Sequence, residues 1–329
     1  MTHPIPPGTR DILPDEMREL RRLSLSLIEA FERFGYGEVA TPTIEYEEVL
    51  ARGDERGAPV AYRFFDESGE LLALRSDMTI PIARLVANRY AEAEPPFRLC
   101  YLARAYRAVR PQRGQMREFT QAGVELIGAG APDGTAEVIE VLSAALDAAG
   151  LNRAMIGLGD AYLYRQVLAQ LGVGHAAEPI LARLAAHDLV GLEQEVRALE
   201  LDAATTEILV GLPSLRGGPE VLDRARELGG DAVDKSISRL ATTYQAVAAR
   251  GVADRVSLDL GLLRDLGYYT GAILEVYDPA LGHILGGGGR YDELMGRFGR
   301  PLQAAGFALY LERLHVAQAE EELVREGEA

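Results

Sequence analysis

The sequence predicts an α+β protein: an antiparallel sheet flanked by helices, with an inserted helical domain. Three observations predict it. Strand-like and helix-like runs do not alternate regularly, which argues against a parallel, doubly wound sheet. Two long strand-like runs, at 97–108 and 117–127, are joined by the Pro-, Gly- and polar-rich loop 110–115, the pattern of an antiparallel pair. Between 161 and 250, Ala and Leu dominate and strand-like runs nearly vanish. The expected division is therefore a sheet domain from 1–160 and 251–329, split by a helical insertion at 161–250.

Taken in order, 15–34 carries Met17, Leu20, Leu23, Leu27, Ile28 and Phe31 at helical spacing, with Pro14-Asp15 as a start signal and Gly35 as a stop. A short extended piece follows at 38–42, where Pro42 suits an edge. Residues 62–65, 66–70 and 71–74 read as strand, turn and strand, and 80–91 as a helix. After the insertion, strands are expected at 255–260 and 270–278. Then come a glycine run at 286–289, a short helix at 291–298, a last strand at 301–309 and a final helix at 310–326.

Composition narrows the function. The chain has 329 residues and a formal net charge of −16, and Lys235 is the only lysine among its 34 basic residues. A nucleic-acid binder needs a basic surface to displace counterions, so this balance argues against tRNA or other nucleic acid as a partner. No apolar run of about eighteen residues is present, and the start of the chain lacks the apolar core of a secretory signal, so no membrane association is expected. The single cysteine, Cys100, cannot form an intrachain disulfide or a Cys-based metal site, and it fits a cytoplasmic location. The five histidines show no metal-ligand spacing, so no metal and no cofactor is expected.

Six segments resemble class II aminoacyl-tRNA synthetases, specifically the histidyl enzymes. Pro7-Gly8-Thr9-Arg10-Asp11 and Gly35-Tyr36-Gly37-Glu38-Val39-Ala40-Thr41-Pro42 resemble the entry segment and motif 1, which forms that family's dimer interface. Tyr106-Arg107 with Phe119-Thr120-Gln121-Ala122-Gly123-Val124-Glu125 resembles motif 2. Leu263-Arg264-Asp265-Leu266-Gly267-Tyr268-Tyr269-Thr270-Gly271 and Gly287-Gly288-Gly289-Arg290-Tyr291-Asp292 resemble the two histidine signatures, and 305–314 resembles motif 3. The resemblance spans nearly the whole chain and implies a class II synthetase-like fold.

A histidine ligand offers an ammonium, a carboxylate and an imidazole with two distinct nitrogens, so its site needs acids, a cation and aromatic walls. The resemblance implies that Asp77, Thr79, Gln121, Glu125, Arg264, Tyr268, Tyr269 and Tyr291 form it. Gln121 and Glu125, four apart on a strand, share one face. Polar residues alternating along a strand also read as a solvated face, and paired tyrosines as core.

The synthetase pattern breaks at the nucleotide. Val109 stands where motif 2 has the glutamate that positions ATP, Gln115 where the loop carries an arginine, and Tyr310 where motif 3 has a glycine. In the first signature Gly and Asp appear exchanged, as Asp265 and Gly267. Arg107, Arg264 and Arg313 survive, so the resemblance implies a vestigial ATP site at Arg107, Val109, Gln115, Tyr310 and Arg313. The sequence also stops where the synthetases continue into an anticodon-binding domain of about 100 residues. A kept amino-acid pocket, a damaged ATP site and no anticodon domain resemble the regulatory subunits of ATP phosphoribosyltransferase. That resemblance implies no catalytic residue in this chain. It also implies a short-form catalytic partner, free histidine as ligand and feedback signal, and a homodimer within a hetero-oligomer. The alternatives are a truncated histidyl-tRNA synthetase or histidine-adenylating relative, and an RNA-binding module on the same fold.

Overall fold

The structure, a computed structural model, describes residues 4–53, 61–109, 116–264, 267–279 and 284–328. Among these, nine strands form one sheet in the order Gly37–Glu38, Phe97–Tyr106, Glu118–Ile127, Ala304–Tyr310, Ile284–Arg290, Ala272–Tyr277, Met155–Asp160, Val256–Asp259, Arg216–Gly217. The expected antiparallel pair, Phe97–Tyr106 with Glu118–Ile127, lies in register from Phe97↔Ile127 to Tyr106↔Glu118.

The sheet is mixed, not purely antiparallel. Gly37–Glu38 runs parallel to Phe97–Tyr106, and Met155–Asp160 runs parallel to Val256–Asp259. Both parallel pairs join segments far apart in sequence, and the longer connection is the helical segment.

Alternation along Glu118–Ile127 divides the sheet faces. Ala122, Val124 and Leu126 join the larger core, together with Leu20, Leu23, Leu27 and Phe31 of the helix Pro14–Arg33. Phe31 meets Phe307 edge-on at 5.8 Å on that side. The helix Asp133–Ala148 packs there too. Ile127, Leu99 and Tyr101 face the other way, into a second core with Met78, Tyr268, Tyr291 and Leu294. A separate three-stranded sheet, Ile44–Tyr46, Leu71–Leu74 and Arg63–Phe65, lies alongside. Its hairpin turns where Asp66 Oδ1 accepts from the Ser68 and Glu70 amides at 2.8 and 2.9 Å, and Gly69 takes φ +82°.

The segment between Met155–Asp160 and Val256–Asp259 holds the helices Leu163–Gln170, Ala177–Ala185, Leu189–Ala198, Ala203–Gly211, Glu220–Gly229 and Asp231–Ala249. Asp188 and Asp202 cap two of them, accepting from Gly191 and Thr205 amides at 2.8 and 2.9 Å. The segment also contributes Arg216–Gly217 to the edge of the large sheet, and its buried Leu and Val residues belong to the larger core. Arg239 forks onto buried Asp160 through two 2.9 Å bonds, fixing the helix Asp231–Ala249 to the strand end.

Candidate functional site

The site is built on a floor of glycines. Across the sheet, Tyr101, Gly123, Ala308, Gly287 and Glu275 lie in one row, and Glu125, Gly306, Gly289 and Ile273 in the next. A Cβ at Gly306 would sit 1.9 Å from Glu125 Oε2, and one at Gly287 would sit 1.8 Å from an Arg264 guanidinium nitrogen. Gly287 of the glycine run thus leaves the space into which Arg264 folds, and Gly306 of the neighbouring strand leaves that for Glu125.

Glu125 is 1% exposed. It accepts from Thr79 Oγ1 at 2.7 Å and from the Tyr291 hydroxyl. Burial raises its carboxyl to about 8, against the lowering effect of those two hydroxyls, and the Asp77 carboxylate adds to the rise. Asp77 is buried and accepts from the Ile80 amide at 3.2 Å, at the start of the helix Thr79–Arg89. Gln121 is buried, and its Oε1 has no hydrogen-bond partner among the described residues.

Arg264 approaches from the first signature. Nη1 donates to Leu274 O at 3.4 Å, and Nε is buried without a partner among the described residues. Burial opposes its charge, but Tyr269, Tyr310, Glu275 and Tyr268 outweigh that and hold the guanidinium above its usual range. Tyr268 packs against Tyr269 at 5.0 Å and edge-on against Tyr291 at 6.0 Å. Tyr268 and Tyr291 are therefore core and cavity wall together. Asp77, Thr79, Gln121, Arg264, Tyr268, Tyr269 and Tyr291 line one cavity, and Glu125 stands behind that lining, bonded to Thr79 and Tyr291. Its open volume is about 30 Å³, room for little more than a water. Arg264 and Tyr269 also wall a larger space of about 440 Å³ against the helix Ala177–Ala185.

Beside it, Arg107, Val109, Tyr310 and Arg313 line a second cavity of about 170 Å³ with Met116, Phe119 and Glu312. Tyr310 borders both cavities. Gln115 and Asp265 lie outside the described residues. Sequence reading missed Tyr101 as a wall of the first cavity. Its signal was its place opposite Gly123, where a Cβ would meet the Tyr101 hydroxyl at 2.5 Å.

This sheet and pocket define the class II synthetase-like fold of the histidyl type. The histidyl-tRNA synthetase family model matches residues 8–314. Proteins described as ATP phosphoribosyltransferase regulatory subunits from Moorella thermoacetica and Symbiobacterium thermophilum are each 43% identical. Both alignments cover 96% of this chain, and 82% and 80% of those proteins. The chain belongs to the family of ATP phosphoribosyltransferase regulatory subunits. A solved structure from Bacillus halodurans, described as an ATP phosphoribosyltransferase regulatory subunit/histidyl-tRNA synthetase, superposes with a TM-score of 0.88 at 34% identity, covering 97% of this chain and 84% of that one. Apo histidyl-tRNA synthetase from S. aureus, at 22% identity and a TM-score of 0.64, shares the fold. Among the described residues, no helix is long and apolar enough to cross a membrane, and no group of His, Cys, Asp and Glu could hold a metal ion.

Proposed function

We propose that this chain is the non-catalytic partner of a short-form ATP phosphoribosyltransferase catalytic subunit, activating it when empty and restraining it when free histidine fills the pocket. The observation that carries this reading is a set of unmet polar groups around one cavity. Among the described residues Gln121 Oε1 and Arg264 Nε lack partners, and Glu125 is buried with two hydroxyls and a second carboxylate as neighbours. Buried polar atoms are rarely left unsatisfied, and a ligand is one reason they are. The acids Asp77 and Glu125 suit an ammonium, Arg264 a carboxylate, and the tyrosines an imidazole. The cavity is too narrow for histidine as it stands, so Arg264 and Tyr269, which wall it from the larger outer space, swing aside on entry.

Calorimetry with purified protein tests this. Histidine is expected to bind and other amino acids to bind far more weakly; no heat with histidine refutes the pocket. A histidine-dependent shift in activity of the copurified transferase tests the regulatory half. Coupling of this kind is worth about 1–3 kcal/mol between states. The surviving Arg107, Arg264 and Arg313 favour one other reading, a histidine-adenylating enzyme. Histidine-driven ATP–pyrophosphate exchange would establish that reading in its place.

A proton should accompany the ligand. With its carboxyl at about 8, Glu125 is protonated in the empty pocket at neutral pH. A folded value above the usual 4.5 means that this group favours the folded chain fully below 4.5, and that the contribution is lost as pH rises through about 8. A cationic ligand needs the carboxylate, so binding at pH 7 should release about one proton and affinity should climb toward pH 8. Titration in buffers of differing ionisation heat reads this directly. Equal heats in all buffers would contradict it.

A further inference from the structure

Glu275 stands between two glycines in its row of the sheet, Gly287 and Gly157, and the pocket described above makes no use of it. Its side chain is 13% exposed. Arg264 arches over Gly287 beside it, Nη1 donating to the carbonyl of the neighbouring Leu274. From the helical segment, His187 Nε2 comes within 3.8 Å of Glu275 Oε2, an ion-pair distance and too long for a hydrogen bond. His187 belongs to the turn that ends the helix Ala177–Ala185, the helix that walls the space outside Arg264 and Tyr269. Its backbone takes φ +54°, a left-handed conformation that glycine adopts without strain. A histidine there bears a backbone cost, and the imidazole it supplies meets a mostly buried carboxyl group. Burial raises the Glu275 carboxyl; Arg264 and then His187 oppose the rise, and Asp259 adds to it. The other charged groups near the turn have partners of their own. Asp259 pairs with Arg216 at 3.1 Å, and Arg183 with Asp188 and Glu195 at 2.9 and 3.0 Å.

We propose that Glu275 is a positioning residue for Arg264, and that its pairing with His187 links the state of the pocket to the helical segment. In the empty site Arg264 and His187 share one carboxyl group, and the guanidinium charge disfavours a proton on the imidazole. With free histidine as the ligand, its carboxylate neutralises Arg264 and leaves Glu275 to His187, a step that rests on the reading of the pocket given above. The pair then holds a proton more tightly. Ligand and proton thus favour each other, and the end of the helix Ala177–Ala185 is held more firmly to the sheet when the pocket is filled.

The test is a pH titration by NMR of protein labelled in its histidine rings, with unlabelled free histidine as ligand. Glu275→Gln should lower the His187 midpoint by about half a pH unit or more, and saturating histidine should raise that midpoint in the wild type only. The same variant should bind histidine about fivefold more weakly, through a loosened Arg264. His187→Asn keeps a side chain that tolerates the left-handed backbone but takes up no proton. Calorimetry should find its histidine affinity about threefold below wild type at about pH 6 and equal to it at about pH 8, since half a pH unit in midpoint corresponds to about threefold in affinity. Glu125 titrates alike in both proteins, so the ratio reads His187 alone. Equal His187 midpoints in wild type and Glu275→Gln overturn the pair. Unchanged histidine affinity in Glu275→Gln overturns the positioning role. A midpoint unmoved by bound histidine, or an affinity ratio that does not change with pH, overturns the link. Should Glu275→Gln fail to fold, the His187→Asn ratio decides. Absence of histidine heat with the wild type refutes the pocket reading, whereas the ligand-free midpoints still decide the pair, so the two failures are distinguishable.

Discussion

Glu125→Ala is expected to weaken histidine binding by about 1.5–3 kcal/mol, roughly 10- to 150-fold in Kd. The carboxylate would make a charge-assisted bond to the ligand from a fully buried position, held between Thr79 and Tyr291. Its removal also strips those two hydroxyls of their acceptor, so Tyr291 and Thr79 lose their fixed orientation. Glu125→Gln keeps the volume and an acceptor but cannot carry charge. It should lose most of the affinity and all of the proton release. Calorimetry on both variants checks this; unchanged affinity in Glu125→Ala removes the residue from the site.

Gly288→Ala should destabilise the fold by about 3 kcal/mol, the upper range for forcing atoms into a packed interior. Its new Cβ would sit 2.0 Å from Gly306 O and 2.7 Å from Phe307 Cα. Those are backbone atoms, so no rotamer change relieves the clash and the strands Ile284–Arg290 and Ala304–Tyr310 must part. Gly296→Ala is the control. The nearest atom to its Cβ is 3.9 Å away, at an exposed position of the short helix Leu294–Arg297, so stability should hold or rise. Denaturant midpoints of the two variants compare them, and a Gly288→Ala midpoint equal to the wild type would contradict the packing described.

The paired strands 97–108 and 117–127 were legible because two long strand-like runs flank a Pro-, Gly- and polar-rich loop, and they fold as Phe97–Tyr106 and Glu118–Ile127. Among the elements that were not legible, three show why. The strand Ile284–Arg290 hid behind four glycines, which carry no strand preference of their own and are placed by close approach to neighbours. The helix Asp133–Ala148 buries ten of its sixteen residues, so it shows little of the polar and apolar contrast by which surface helices are read. The strand Met155–Asp160, enclosed on both sides, likewise lacks alternation. For the site, the signatures gave the residue types, and the fold brought Asp77 and Thr79 from the start of a helix, Gln121 from a strand, and Arg264 and the tyrosines from segments beside the glycine strand to one cavity. What no spacing conveyed was the glycine floor or the meeting of Arg264 and His187 at Glu275, because both depend on segments distant in the chain.

Side-by-side strands pointing the same way cannot be joined by a tight turn; the chain must travel back over the sheet before it can re-enter. Met155–Asp160 and Val256–Asp259 are such a pair. A return connection between them is thus topologically obligatory, though the helices that now fill it are not: descendants of this chain can shorten or elaborate them, yet a path of about a dozen residues must survive every trimming.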